Sequence, residues 1–176
     1  DITKGKNLIV FEIAKRYVLN FLNAEIETIK EGNEIKILQI EAHNEVEVNI
    51  SGLDFPVKIT GKVDRVDAFN GITRIIDYKT GSVQQTQVEV IDWADITTDY
   101  KKYSKSFQVL TYAYMMYKSN KINLPIEAGI ISFKNLNSGF LKFAKKESSR
   151  GKKDTLITEA TISAFETELK ALISEI

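Results

Sequence analysis

Cysteine is absent from the 176 residues. Its absence removes disulfides, thiolate zinc sites, cysteine-ligated iron–sulfur clusters and cysteine nucleophiles, and with them any inference about redox compartment. Histidine occurs once, as His43. No apolar run approaches the roughly 18 residues of a membrane span, and no secretory signal is visible. The expectation is a cytoplasmic protein with no membrane attachment. Neither sign of charge is in excess, since 24 Lys and Arg balance 24 Asp and Glu. The whole-molecule basic field of many nucleic-acid binders is therefore missing, and contact with a polyanion must rest on local patches or on bound metal. A Walker-type glycine-rich loop is also missing, which places any motor activity elsewhere. The chain opens on Asp1 rather than Met, as expected of a piece excised from something longer.

What is present describes a globular chain. Hydrophobic residues make up 43% and charged residues 27%, within the range of ordinary folded domains, and the length suits one domain over residues 1–176 with a real core. Apolar residues from Leu8 to Leu22 recur at three- and four-residue spacing, which predicts a helix from Asn7 to about Lys30, closed by Gly32-Asn33. Two strands are expected next, Ile35 to Ala42 and Val46 to Ile50, with His43-Asn44 near the turn between them. After a connection at Ser51 to Pro56, Val57 to Phe69 and Ile72 to Thr80 flank Asn70-Gly71, a strong hairpin signal. The stretch from Gly81 to Tyr100 holds the single Trp93 in a polar setting and has room for a short helix. A helix follows from Lys105 to about Asn120, then a hairpin of Ile126–Lys134 and Gly139–Lys145. A basic loop at Lys146–Asp154 and a closing amphipathic helix from Thr158 complete the chain. The expected class is α/β, with a mixed central sheet, mostly a β-meander, flanked by helices.

The Asn70-Gly71 hairpin carries the chemistry. With a two-residue turn, paired positions run Phe69 with Ile72, Asp67 with Arg74 and Val66 with Ile75. Asp64 then stands opposite Asp77, and Lys62 opposite Lys79. Side chains alternate between faces, so Asp64, Asp77 and Lys79 are expected on one side. Opposed carboxylates repel and weaken a hairpin, whereas Asp67 and Arg74 form a matched pair. A divalent cation between Asp64 and Asp77 would remove the repulsion, because Mg²⁺ favours one or two carboxylates plus water and phosphate oxygens.

Gly61-Lys62-Val63-Asp64, then Asp77-Tyr78-Lys79, then Gln108-Val109-Leu110-Thr111-Tyr112 resemble the PD-(D/E)xK nuclease superfamily, in particular its RecB-like and AddB-like branch. The family pattern has the same three parts in the same order. The resemblance implies a restriction-endonuclease-like core and metal-dependent hydrolysis of DNA phosphodiesters. The setting it implies is the exonuclease module of a RecB/AddB-type repair or recombination protein, partnered by helicase or helicase-like domains. It implies that Asp64, Asp77 and the Tyr78 backbone carbonyl hold Mg²⁺ or Mn²⁺. Lys79 would orient or activate the attacking water, and Gln108 and Tyr112 would contact the DNA strand. Glu41 matches a glutamate common at this place in relatives and is a candidate for support near the site.

The sequence departs from that pattern in one respect. Relatives often carry a His ligand on a helix before the first strand; here the first helix offers only Glu12, Glu25 and Glu27. Either the chain begins after the ligand helix, or it uses fewer ligands. A rival reading follows: a catalytically incomplete nuclease-fold module that binds DNA or acts as a scaffold. A third is an unrelated interaction domain whose hairpin charges are merely solvated. His43 reads as a turn residue rather than a ligand. Lys101, Lys102 and Lys105, with the late cluster Lys145, Lys146, Arg150, Lys152 and Lys153, are candidates for phosphate contact.

Overall fold

The computed structural model describes residues 4–176. Helix α1 spans Gly5–Lys30 and is followed by β1 (Ile35–Val48), β2 (Val57–Phe69) and β3 (Ile72–Lys79). A 3-10 turn at Gln85–Val88 leads into the short β4 (Glu89–Val90), then α2 (Asp95–Thr98) and α3 (Tyr100–Lys118). Strand β5 (Glu127–Ser132), a 3-10 segment, β6 (Phe140–Lys142), β7 (Ala144–Lys146), β8 (Lys153–Asp154) and α4 (Glu159–Ser174) complete the chain. The main sheet has the order β1-β2-β3-β5-β6. Its β3–β5 pair is parallel and the other neighbours are antiparallel. Strands β4, β7 and β8 form a second small sheet. This is the mixed, helix-flanked α/β architecture expected, with a restriction-endonuclease-like core.

The hairpin register is as the turn chemistry requires. Asn70 and Gly71 both take positive φ, 49° and 85°, the geometry that matches strand twist in two-residue hairpins. Phe69 pairs with Ile72, and Asp67 with Arg74. Two expectations need correction. Residues 35–48 form one strand, not two, because every position from Ala42 to Val48 continues to pair with β2 and His43 sits opposite Lys62. His43 is thus an exposed strand residue. The irregularity lies earlier, in a register shift between Ile37 and Gln39 and a positive φ of 56° at Glu41. The 105–120 helix begins five residues sooner, at Tyr100, because the Asp99 side chain accepts the Lys102 amide and caps it.

Different helices cover the two faces of the sheet. Val66, Ile75, Ala128 and Ile130 are buried with Leu110, Ala113 and Tyr114 of α3 and Phe165 of α4 in the main core. On the opposite face, Tyr78 packs against Phe21 of α1 and stacks on Phe133, with ring centroids 5.4 Å apart in both pairs. Helix α1 buries none of its residues completely. Leu8, Val18, Leu22, Ile26 and Ile29 stay exposed, because Tyr17, Phe21, Glu25 and Thr28 form the line that turns inward.

The late basic loop is also different from expectation. Lys146 is buried and pairs with Glu89, which Lys153 reaches at 2.6 Å. Burial would push the Glu89 carboxyl up, but hydrogen bonds from Lys153 and Lys146 outweigh it and hold it below the usual carboxylate range. Lys145 donates to the Ile91 carbonyl and lies over Trp93, which stacks on Phe143. These lysines join β4 to β7 and β8, so of the late cluster only Arg150 and Lys152 have no such tie among the described residues.

Gly129 shows how closely the core strands approach. A Cβ there would lie 2.2 Å from the Leu141 carbonyl oxygen of β6, and backbone cannot give way as a side-chain end can. Gly129→Ala is therefore expected to destabilise the fold by at least about 2 kcal/mol, read as a lowered denaturant midpoint with an unchanged slope.

Candidate active site

The hairpin ladder runs as far as Arg65–Ile76 and stops. In a continued ladder the Tyr78 amide would pair with Val63; instead it donates to Asp64 Oδ2 at 2.8 Å. The side chain of Asp64 thus takes the place of a strand partner where the two strands part. Strand β2 changes phase at the same point, since Val63 and Val66 both enter the core. Strict alternation, which would set Lys62 opposite Lys79, consequently fails beyond Asp64. Lys62 pairs with Glu41 instead.

Asp77 is 2% exposed, and its Oδ2 sits 2.8 Å from Lys79 Nζ. Lys79 Nζ also donates to Gln108 Oε1 at 2.9 Å, and Gln108 Nε2 donates to the Tyr112 hydroxyl at 2.8 Å. The three sequence segments therefore converge: Asp64 from β2, Asp77 and Lys79 from β3, and Gln108 and Tyr112 one helical turn apart on α3. Burial pushes the Asp77 carboxyl up; the Lys79 ammonium beside it pulls it back, and the Asp64 charge adds to the rise. The Tyr112 phenol is also raised, by burial and by the Asp77 and Asp64 carboxylates, against the hydrogen bond from Gln108. Tyr112 is thereby kept a neutral proton donor.

Gly61 explains why α3 reaches this close. A Cβ on Gly61 would stand 2.7 Å from Met115 Cε and 3.5 Å from the Tyr112 ring. The glycine of the Gly-x-x-Asp segment thus gives room for the helix that carries Gln108 and Tyr112. Tyr78 anchors β3 from behind, with its ring between Phe21 and Phe133 and its hydroxyl accepting from Arg65. Beside the cluster a groove of about 610 Å³ is lined by Lys79, Lys105, Gln108, Tyr112 and Tyr100.

Among the described residues no three His, Asp or Glu side chains gather as a ready-made metal cage. The carboxylates of Asp64 and Asp77 are near enough for their charges to interact, which suits a hard cation that takes its remaining oxygens from water and phosphate. Asp77 Oδ2 is buried and accepts no well-directed hydrogen bond, so it retains capacity for a cation.

Other candidates lie outside the cluster. Glu41 is exposed, pairs with Lys62, and stands between the Ile40–Arg65 and Ala42–Val63 pairs, across from Asp64. Glu12 and Glu27 pair with Lys15 and Lys30 on the surface of α1. Glu25 is bound to Arg65 at 2.7 Å on the face of the sheet away from Asp77, so no glutamate of α1 replaces the missing His. Arg65 and Glu25 were not foreseen as a pair. No local pattern links β2 to a helix forty residues upstream. The Asp67–Arg74 pair is bidentate, at 2.8 and 2.9 Å.

A carboxyl raised in the fold binds its proton more tightly there than in the unfolded chain, so its contribution to stability falls as pH rises through the folded pKa. Metal-free Asp77→Asn should therefore be more stable than the parent at neutral pH, with the difference shrinking toward acid. Thermal unfolding in EDTA across that range measures it, and a variant less stable at neutral pH would contradict this account of the site.

Comparison with known proteins adds an independent observation. The family model described as the PD-(D/E)XK nuclease superfamily matches residues 9–176. Among curated proteins no match was found. The match takes in the hairpin, the Gln108–Tyr112 helix and both flanking helices, and the chain belongs to the PD-(D/E)XK nuclease superfamily.

Proposed function

We propose that this chain is a Mg²⁺-dependent deoxyribonuclease, with Mn²⁺ able to substitute, acting in the cytoplasm as the exonuclease module of a RecB/AddB-type DNA repair or recombination protein. Helicase or helicase-like domains would deliver its strand. The observation that carries the reading is the convergence of Asp64, Asp77, Lys79, Gln108 and Tyr112 into one connected cluster beside a groove. The narrower branch assignment rests on the Gln108-to-Tyr112 segment and its order after Asp77-Tyr78-Lys79.

In this reading Asp64, Asp77 and the Tyr78 carbonyl would hold the ion. A divalent ion supplies Lewis-acid charge to the phosphoryl oxygens and lowers the pKa of a bound water. Lys79 orients the attacking water and presents a fixed positive charge where negative charge develops on the phosphate. Gln108 holds Lys79 by accepting one of its protons, and Tyr112 holds Gln108 in turn. The hydroxyl proton of Tyr112 is left to donate toward the strand. Burial of Asp77 keeps bulk water from its inner oxygen, so the charges act in a medium of low screening.

The rival reading, a nuclease-fold module that binds or scaffolds without cutting, draws on the donor set of two carboxylates and no histidine. The two readings differ in a direct assay. Asp77→Ala and Lys79→Ala should each abolish Mg²⁺-dependent cleavage of DNA by the complete protein while circular dichroism stays unchanged. Calorimetry should show Mn²⁺ binding that Asp77→Ala removes. Unchanged cleavage in either variant rejects the role assigned to that residue, and Asp77-independent Mn²⁺ binding favours the scaffold.

A further inference from the structure

We infer that Tyr100 and Lys105 form a nucleotide subsite beside the catalytic cluster, in which Tyr100 stacks on an unpaired base and Lys105 meets an adjoining phosphate. The inference rests on the nuclease reading for the presence of a DNA strand in the groove, and adds the residues that grip it. Tyr100 opens α3 and is 82% exposed. Its ring enters no aromatic or cation–π pair among the described residues. The ring lines the same groove as Lys79, Gln108 and Tyr112.

Helix geometry puts Tyr100 on the path of the strand. Tyr100, Ser104, Gln108 and Tyr112 recur every four residues and share one stripe of α3. Eight residues separate Tyr100 from Gln108, about 12 Å along the axis. A strand whose scissile phosphate lies at Lys79 and Gln108 would thus bring a flanking base to Tyr100, and not the phosphate itself. Lys105 lies between them, and its side chain enters no hydrogen bond or ion pair among the described residues. Its ammonium is near enough to Asp77 to favour that carboxylate's charged form.

The chemistry points to a base that is not stacked in a duplex. An aromatic ring gains from a base only if the base's face is open, as in a single strand or a frayed end, and such stacking tolerates any sequence. A blunt duplex offers Tyr100 no such face within its length, while Lys105 still meets its phosphates.

The test uses the Asp77→Asn protein, in which binding is read without cutting. Anisotropy of fluorescein-labelled oligothymidylate should show affinity falling roughly 5- to 150-fold on adding Tyr100→Ala, and staying within about twofold on adding Tyr100→Phe, which keeps the ring. Affinity for a blunt duplex should not respond to Tyr100→Ala. Lys105→Ala should weaken both ligands and flatten the dependence on salt. A Tyr100→Trp protein should lose emission when oligothymidylate is added, beyond any change of Trp93 in its parent. Equal affinity with and without Tyr100→Ala, an unquenched Tyr100→Trp, or a parent that does not bind oligothymidylate would each overturn the subsite. The outcomes separate the two assignments. Loss of cleavage in Lys79→Ala with normal binding by Tyr100→Ala removes only the subsite. Tyr100-dependent binding with full cleavage by Lys79→Ala removes only the catalytic assignment.

Discussion

A carboxylate withdrawn from water beside one ammonium sets the terms for this end of the molecule. Asp77 is almost wholly buried, and its pKa is raised in spite of Lys79 at 2.8 Å. Burial of the charge is therefore incompletely offset by the protein itself. The neighbouring Asp64 makes the offset harder, and its own carboxylate is relieved by the Tyr78 amide. The local backbone follows from these needs. Where the two aspartates would have faced each other in a regular ladder, the strands part and a side chain replaces a strand as hydrogen-bond partner. Such a site stores unfavourable free energy in the ligand-free fold, as sites tuned for charge chemistry do.

The reverse face of the sheet makes that strain bearable. Arg65 reaches Glu25 and Asp67 at 2.7 and 2.6 Å, and Arg74 grips Asp67 through its Nε and Nη2. Asp67 is fully buried. The guanidinium of Arg74 also lies over the rings of Phe69 and Phe140, 4.3 and 5.3 Å from their centroids. Buried ion networks contribute less net stability than their contacts suggest, but breaking one partner is costly. Here the network joins β2, β3 and α1, and Tyr78 links to it through Arg65. The strand that carries Asp77 and Lys79 on one side is thereby clamped on the other by Tyr78, the residue between them.

This division of faces separates the charge cluster from the first helix. The segments Gly-x-x-Asp, Asp-x-Lys and Gln-x-x-x-Tyr come together in one cluster. Helix α1 lies on the clamping side, and its acid near the sheet, Glu25, neutralises Arg65. A glutamate of α1 cannot serve Asp77 through the thickness of a sheet. The apolar residues of α1 that periodicity marks for burial remain largely in solvent because one narrow line of the helix meets the strands.

Local sequence was sufficient wherever a short-range rule decided the outcome. Asn70-Gly71 set the turn, the turn set the register to Arg65–Ile76, and the register brought Asp67 to Arg74, while alternation along β3 put Asp77 and Lys79 on one face. Four-residue spacing put Gln108 and Tyr112 on one stripe of α3. Sequence by itself could not tell that β1 runs unbroken past His43, since continuity depends on pairing with β2 and not on the residues of the would-be turn. Nor could it reveal the phase change at Asp64, the tie of Lys146 and Lys153 to Glu89, or the exposure of Tyr100 beside the groove. Those depend on contacts between segments distant along the chain. Alternation and helical period describe how side chains leave their own backbone; which neighbour they meet is decided by packing, and at this site packing determined which charges were buried and which were left free.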